Sequence, residues 1–221
     1  MAKFIKLSLK DRLVAELRGK ILGGELRPHA RITEQDLCDE YGVSRSVVRE
    51  AMLVLEIQGL LVSTPYTGSE VASISRSEVE ELLLPLRVQT EQFALRQGFQ
   101  RLDSEYFQRF ETVLKAMERA VNDRDVVAFN ESDFQFHALI VKSADSDIAR
   151  NVWDVIDQSI RMHFALQTGR TGALIGFLDD HRQLLNVFRS GDLEASVTAI
   201  KDHIIATNQP FLDVLDQPET D

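Results

Sequence analysis

Apolar positions recur with helical spacing through most of the chain. Leu9, Leu13, Val14, Leu17, Ile21 and Leu22 fall on one stripe of a helix. Gly23-Gly24 ends that stripe, and Pro28 lies in the loop beyond it. Thr33 stands where a hydroxyl caps a second helix. Asp36, three residues on, takes the capping-box position usually given to Glu or Gln. This helix is expected to reach about Tyr41. Gly42 makes a turn, Ser44 caps a third helix to about Gln58, and Gly59 stops it. The period then changes. Residues 60–63 and 69–72 read as two short strands around Pro65-Tyr66-Thr67-Gly68.

Beyond Ser75 the pattern is helical to the end. Ser75 or Ser77 is the expected cap of a helix that reaches about Gln97 and stops at Gly98. Further stripes cover residues 104–122, 126–143, 148–168, 173–190 and 193–215, with breaks such as Ala144-Asp145 and Gly191-Asp192 between them. Pro85 and Pro210 are expected to kink or interrupt their helices. No glycine-rich phosphate loop, internal repeat or low-complexity segment occurs. The expected fold is mainly α. A winged helix-turn-helix covers residues 1–75, and an all-α bundle of about six helices covers residues 76–221.

Composition narrows the class. A 44% hydrophobic and 27% charged content is that of a globular chain, so a disordered or fibrous protein is not expected. No apolar run approaches membrane-spanning length, and Met1 to Lys10 lacks a signal-peptide core. The single cysteine, Cys38, leaves no intrachain disulfide framework and reads as a small, partly buried side chain. The cytoplasm is the expected compartment. The net charge of −10 runs against nucleic-acid binding until its distribution is seen. Residues 1–75 carry ten basic and ten acidic side chains, and residues 76–221 carry fifteen and twenty-five. The whole deficit sits in the C-terminal part, and a local cluster of Arg27, Arg31, Arg45 and Arg49 is left to meet DNA phosphates.

Two constellations carry chemistry. The first is the start of the third helix. Arg45 and Arg49 are four apart and share a face in its first turns, where side chains of a recognition helix reach base edges. The arginine fork donates two hydrogen bonds to the O6/N7 edge of guanine. Ser44 and Ser46 can bond phosphate at the helix N-terminus, with Thr67 and Gly68 at the wing touching the backbone. Alone, two arginines would merely solvate a helix face; the surrounding turn and wing favour DNA. The second constellation is Asp133 and His137, four apart on one helical face, with His181 and His203. His181 lies ten residues before Gly191 and His203 eleven after Asp192, so an antiparallel hairpin sets them level. Three neutral imidazoles and a carboxylate suit a divalent ion, Zn²⁺ first, with Ni²⁺ or Mn²⁺ as alternatives. Taken singly, His181 and His203 would be ordinary hydrogen-bonded histidines. His29 and His163 read as structural or exposed, and Phe129, Phe134, Phe136 and Phe164 as core.

The chain resembles the GntR family of bacterial transcription regulators, in the subgroup with the helical FCD ligand domain. The landmarks are residues 21–28 (Ile-Leu-Gly-Gly-Glu-Leu-Arg-Pro), Ile32-Thr33-Glu34, the stretch from Gly42 to Ala51, residues 55–60 and the wing glycine Gly68. Asp133, His137, His181 and His203 match the FCD metal-site pattern. Arg87 matches the arginine of an Arg-x-x-x-Glu stretch. The resemblance implies that it pairs with a ligand carboxylate, the alternative being an internal ion pair with Glu91. Asn130 and Arg161 are further pocket candidates. His29, Gln35, Ser46-Val47 and the wing tip depart from the family pattern, which leaves the operator sequence and the wing contact open.

The expectation is a homodimeric DNA-binding regulator, a repressor, not an enzyme. Its operator affinity responds to a small carboxylate bound at the metal, with no membrane partner. The alternatives are a metal-dependent enzyme acting on a small organic acid, or a regulator with a purely structural metal. No carboxylate stands out in the sequence as a general base for an enzyme.

Overall fold

The computed structural model describes residues 8–64, 68–165 and 174–215. The chain divides into two compact units, Met1–Ile74 with Arg161–Leu166, and Ser75–Ile160 with Gln167–Asp221.

In the first unit, α1 spans Leu9–Leu22, β1 Arg31–Ile32, α2 Glu34–Tyr41, α3 Arg45–Ile57, β2 Leu61–Thr64 and β3 Gly68–Val71. The Ser8 oxygen accepts the Asp11 N–H at 3.1 Å and starts α1. Thr33 starts α2 the same way, accepting the Asp36 N–H at 3.1 Å. Gly42 ends α2 with φ 62° and ψ 33° and donates its N–H to the Cys38 carbonyl, a left-handed turn that a side chain would strain. Ser44 departs from its expected role. It holds the N-cap position of α3, but its hydroxyl makes no cap bond and instead lies 3.0 Å from the Ser46 hydroxyl. Leu17, Ile21, Leu37, Val48, Leu55, Leu60 and Val71 close one apolar core. Each such buried side chain contributes about 1.5–3 kcal/mol. The sheet has three antiparallel strands in the order β1-β3-β2. Leu61 to Thr64 pair with Val71 to Gly68, and Arg31 stands opposite Glu70. The two residues of β1 are too few to show a sequence period, so only the two-stranded wing was legible.

In the second unit a π-helical stretch, Glu78–Leu83, precedes α4 at Leu84–Gly98, where one continuous helix was expected. Pro85 has no N–H to bond into the preceding turn, and the Leu84 N–H reaches back five residues to Val79. Ser75, not Ser77, opens the segment: its oxygen accepts the Glu78 N–H at 3.3 Å, and Glu78 accepts the Ser75 N–H at 2.8 Å. A 3₁₀ turn, Phe99–Arg101, follows α4. Then come α5 (Ser104–Asp123), α6 (Val126–Ser143), α7 (Asp147–Ala165), α8 (Leu174–Arg189) and α9 (Leu193–Leu215). Pro210 does not interrupt α9; it removes one backbone bond near the helix end.

Neighbour packing runs α4–α6–α5–α8–α9 and back to α4, so five helices surround a common interior. Phe110 is fully buried there, with ring centroids 4.8 Å from Phe136 and 6.2 Å from Phe188. Among the described residues, no helix is long and apolar enough to cross a membrane.

The α4–α6 contact is close at one point. A Cβ placed on Gly98 would overlap the backbone of Ser143. Gly98→Ala is therefore expected to destabilise the protein by about 1–3 kcal/mol through overpacking. Urea unfolding measures this, and an unchanged midpoint would show that the two helices part without penalty.

Candidate metal centre and nucleic-acid interface

Arg45 and Arg49 lie exposed near the start of α3, beside the exposed hydroxyls of Ser44 and Ser46. Both guanidiniums are held by the first turn of α2. Arg45 Nη2 donates to Gln35 Oε1 at 2.8 Å, and Arg49 Nε donates to Glu34 Oε1 at 2.7 Å. Exposed pairs of this kind add little stability, so they orient the arginines without locking them away. Arg31 is exposed on β1. The Arg31 side chain runs past Gly68 of β3, where a Cβ would lie 3.8 Å from Arg31 Nε. Arg31 and Gly68 thus share the wing. Thr67 lies outside the described residues.

In the helical unit, α6 presents Asp133 and His137 from consecutive turns, α8 presents His181 and α9 presents His203. One ligand atom from each lies within 4.8 Å of all the others. The His181 and His203 ring centroids are 4.4 Å apart, those of His137 and His203 5.3 Å. All four residues are buried. Asp133 Oδ1 approaches His181 Nε2 at 2.9 Å and His137 Nε2 at 3.8 Å. The shorter approach lacks hydrogen-bond geometry: His137 Nε2, His181 Nε2, His203 Nε2 and Asp133 Oδ2 all lack a hydrogen-bond partner. Three buried imidazole nitrogens without partners, gathered around one carboxylate, are costly unless something bridges them. A divalent cation fits this donor set.

The other ring nitrogens are engaged. His181 Nδ1 lies 2.7 Å from the Phe177 carbonyl, which accepts its proton and leaves Nε2 as the lone-pair atom facing the cluster. His137 Nδ1 lies 2.6 Å from Glu91 Oε2. Trp153 of α7 stacks on His137 with centroids 6.5 Å apart.

Burial sets the charge states. It drives His137 and His203 well below the usual histidine range, against the pull of the Asp133 carboxylate, which favours the neutral rings that bind metal. Burial opposes the charge of Asp133, but the His137 and His181 rings and Arg87 outweigh it and hold the carboxyl below its usual range. Burial pushes the Glu91 carboxyl up, and Arg87 pulls it back toward the ionised form.

Arg87 realises the internal ion pair that the sequence left open. It is fully buried on α4, and its Nε donates to Glu91 Oε1 at 3.0 Å. Its Nη2 stands 3.8 Å from Asp133 Oδ2, and its Nη1 has no partner. Asn130 is half-buried, three residues before Asp133 on α6. Arg161 lies on α7, in the segment grouped with the first unit. His29 is exposed on a left-handed turn, with φ 62°. The side chains of His163 and Phe164 lie outside the described residues. Phe129, Phe134 and Phe136 are core. Glu91 is the residue that sequence reasoning undervalued: a buried carboxylate does stand beside the ligands. The Arg87-x-x-x-Glu91 spacing signalled its pairing with Arg87, but His137 is 46 residues away on another helix.

Known proteins share this architecture. The pattern of bacterial regulatory proteins of the gntR family matches residues 9–71, and that of the FCD domain matches residues 82–206. The chain is 28% identical over 197 residues to YdhC, an HTH-type transcriptional regulator of Bacillus subtilis strain 168; the match covers 86% of this chain and 84% of that one. It is 23% identical to the galactonate operon transcriptional repressor of Escherichia coli K12, over 94% of this chain and 99% of that one. The solved structure of E. coli McbR/YncC shares the fold, with a TM-score of 0.79 and 17% identity over 95% of this chain and 100% of that one. The chain belongs to the GntR family of transcriptional regulators, with an N-terminal gntR-type helix-turn-helix and a C-terminal FCD domain.

Proposed function

We propose that this regulator is a homodimeric repressor whose hold on its operator is adjusted by a small carboxylate at a divalent metal. Residues 1–75 bind the DNA duplex, and residues 76–221 bind the effector and dimerise. Arg45 and Arg49 read guanine edges from α3, Ser44 and Ser46 bond phosphate, and Arg31, Thr67 and Gly68 meet the backbone at the wing. Removing Arg45 or Arg49 should cost about 1–3 kcal/mol at the specific site and relax the preference for it. Fluorescence anisotropy with an operator and a random duplex measures this. Equal discrimination by wild type, Arg45→Ala and Arg49→Ala would remove the two residues from base reading.

The metal part rests on one observation: three buried imidazole Nε2 atoms without hydrogen-bond partners gather with the Asp133 carboxylate. Asp133, His137, His181 and His203 hold the ion, with Zn²⁺ preferred over Ni²⁺ or Mn²⁺. When bound, the ion supplies positive charge and coordination positions for a carboxylate oxygen. Arg87 adds a second anchor through its unpartnered Nη1, and Asn130 lines the same side of α6. The name of the E. coli relative, a galactonate operon repressor, is in keeping with an organic acid as effector. An enzyme reading is weaker because the carboxylate nearest His137, Glu91, already has both oxygens engaged and is not free to activate water.

Metal content after mild dialysis tests the ligand set. The His181→Ala/His203→Ala double variant is expected to lose the ion that wild type keeps; equal content would remove these residues from the site. Calorimetry with a panel of small carboxylates tests the effector. Binding should disappear on chelation and weaken in Arg87→Ala. Binding of equal strength to the chelated protein would leave the metal a structural role only.

A further inference from the structure

The Glu91 carboxylate has no counterpart in the ligand set, yet it is fully buried and touches two functional groups at once. Oε1 accepts the Arg87 Nε–H at 3.0 Å, and Oε2 lies 2.6 Å from His137 Nδ1. The far ends of both partners are the unpartnered atoms His137 Nε2 and Arg87 Nη1. One carboxylate therefore stands behind both a candidate metal ligand and the candidate anion anchor.

We propose that Glu91 is a positioning residue that couples the two halves of the site: it accepts the His137 Nδ1 proton, so that Nε2 faces the cluster as a lone pair, and holds the Arg87 guanidinium with Nη1 free for an anion. This rests on the metal reading given above. The physical reason is that a histidine ligates through one nitrogen only when the other carries the proton, and an acceptor behind the ring fixes that choice and the ring's orientation. Arg87 is fixed in the same way. With Nε committed to Glu91, its remaining donors keep one direction inside an interior that offers no water to reorient them. Asp133 cannot do the same work, because its oxygens lie on the Nε2 side of His137 and at 3.8 Å from Arg87 Nη2. Ring packing against Trp153 orients the His137 plane but selects neither nitrogen.

Glu91→Gln tests this, because the amide keeps the shape but offers only one acceptor oxygen in place of two. Zn²⁺ affinity, measured by competition with a chromophoric chelator, should fall about 10–100-fold. At saturating Zn²⁺, acetate affinity measured by calorimetry should fall as well. Zn²⁺ and acetate affinities equal to wild type would overturn the proposal. The proton itself is read by nitrogen-15 NMR of the histidine rings in the metal-free wild type. His137 should carry its proton on Nδ1, and the Nδ1 preference should be lost in Glu91→Gln. A wild-type proton on Nε2 would overturn the proposal even if the variant fails to fold. If wild type takes up no Zn²⁺, the metal reading fails, and the NMR result then decides separately whether Glu91 orders the ring.

Discussion

Burying charge and polarity inside a ring of helices is the constraint on which the C-terminal unit depends. Arg87, Glu91, Asp133 and three imidazoles occupy an interior otherwise filled by Phe110, Phe136 and Phe188. Desolvating such groups costs several kcal/mol each unless every one finds a partner. Arg87 and Glu91 find each other directly, the His181 ring has the Phe177 carbonyl behind it, and His137 Nδ1 lies against Glu91 Oε2. The atoms left over face one point. Among the described residues, the three imidazole Nε2 atoms without partners belong to one cluster with Asp133.

The helix order makes this concentration possible. α6 lies between α4 and α5, and α9 lies between α4 and α8, so residues far apart in sequence converge on one interior. Gly98 permits α4 and α6 to approach closely at their ends. The net charge of −10 is carried on surfaces and does not decide what the interior binds, because exposed charges beyond about 10 Å are screened at physiological salt.

The N-terminal unit follows a different rule. Its core is a cluster of apolar side chains, and the arginines of α3 stay exposed. α2 supplies Gln35 and Glu34 as neighbours for Arg45 and Arg49, which holds two long side chains on one face of α3. Such pairs are weak in water, and weakness suits side chains that must exchange one partner for another.

Much of this was written in local pattern. The 3.6-residue period, the glycine at position 42 and the cap at Thr33 are short-range properties, so the helix-turn-helix, the boundaries of α6 and α9, and the pairing of Asp133 with His137 on one face could be read directly. The level placement of His181 and His203 followed from equal rise along two antiparallel helices. Three features could not be read locally. The strand β1 is too short to have a period, and it exists because β3 offers an edge to pair with. The π-helical start before α4 depends on how the chain accommodates a missing N–H at Pro85. The double engagement of Glu91 depends on α4 and α6 lying side by side, which brings together residues 46 positions apart. A hydrophobic period says which face of a helix is buried. Which helix it is buried against is a matter of packing, and the partners of buried polar groups are chosen there.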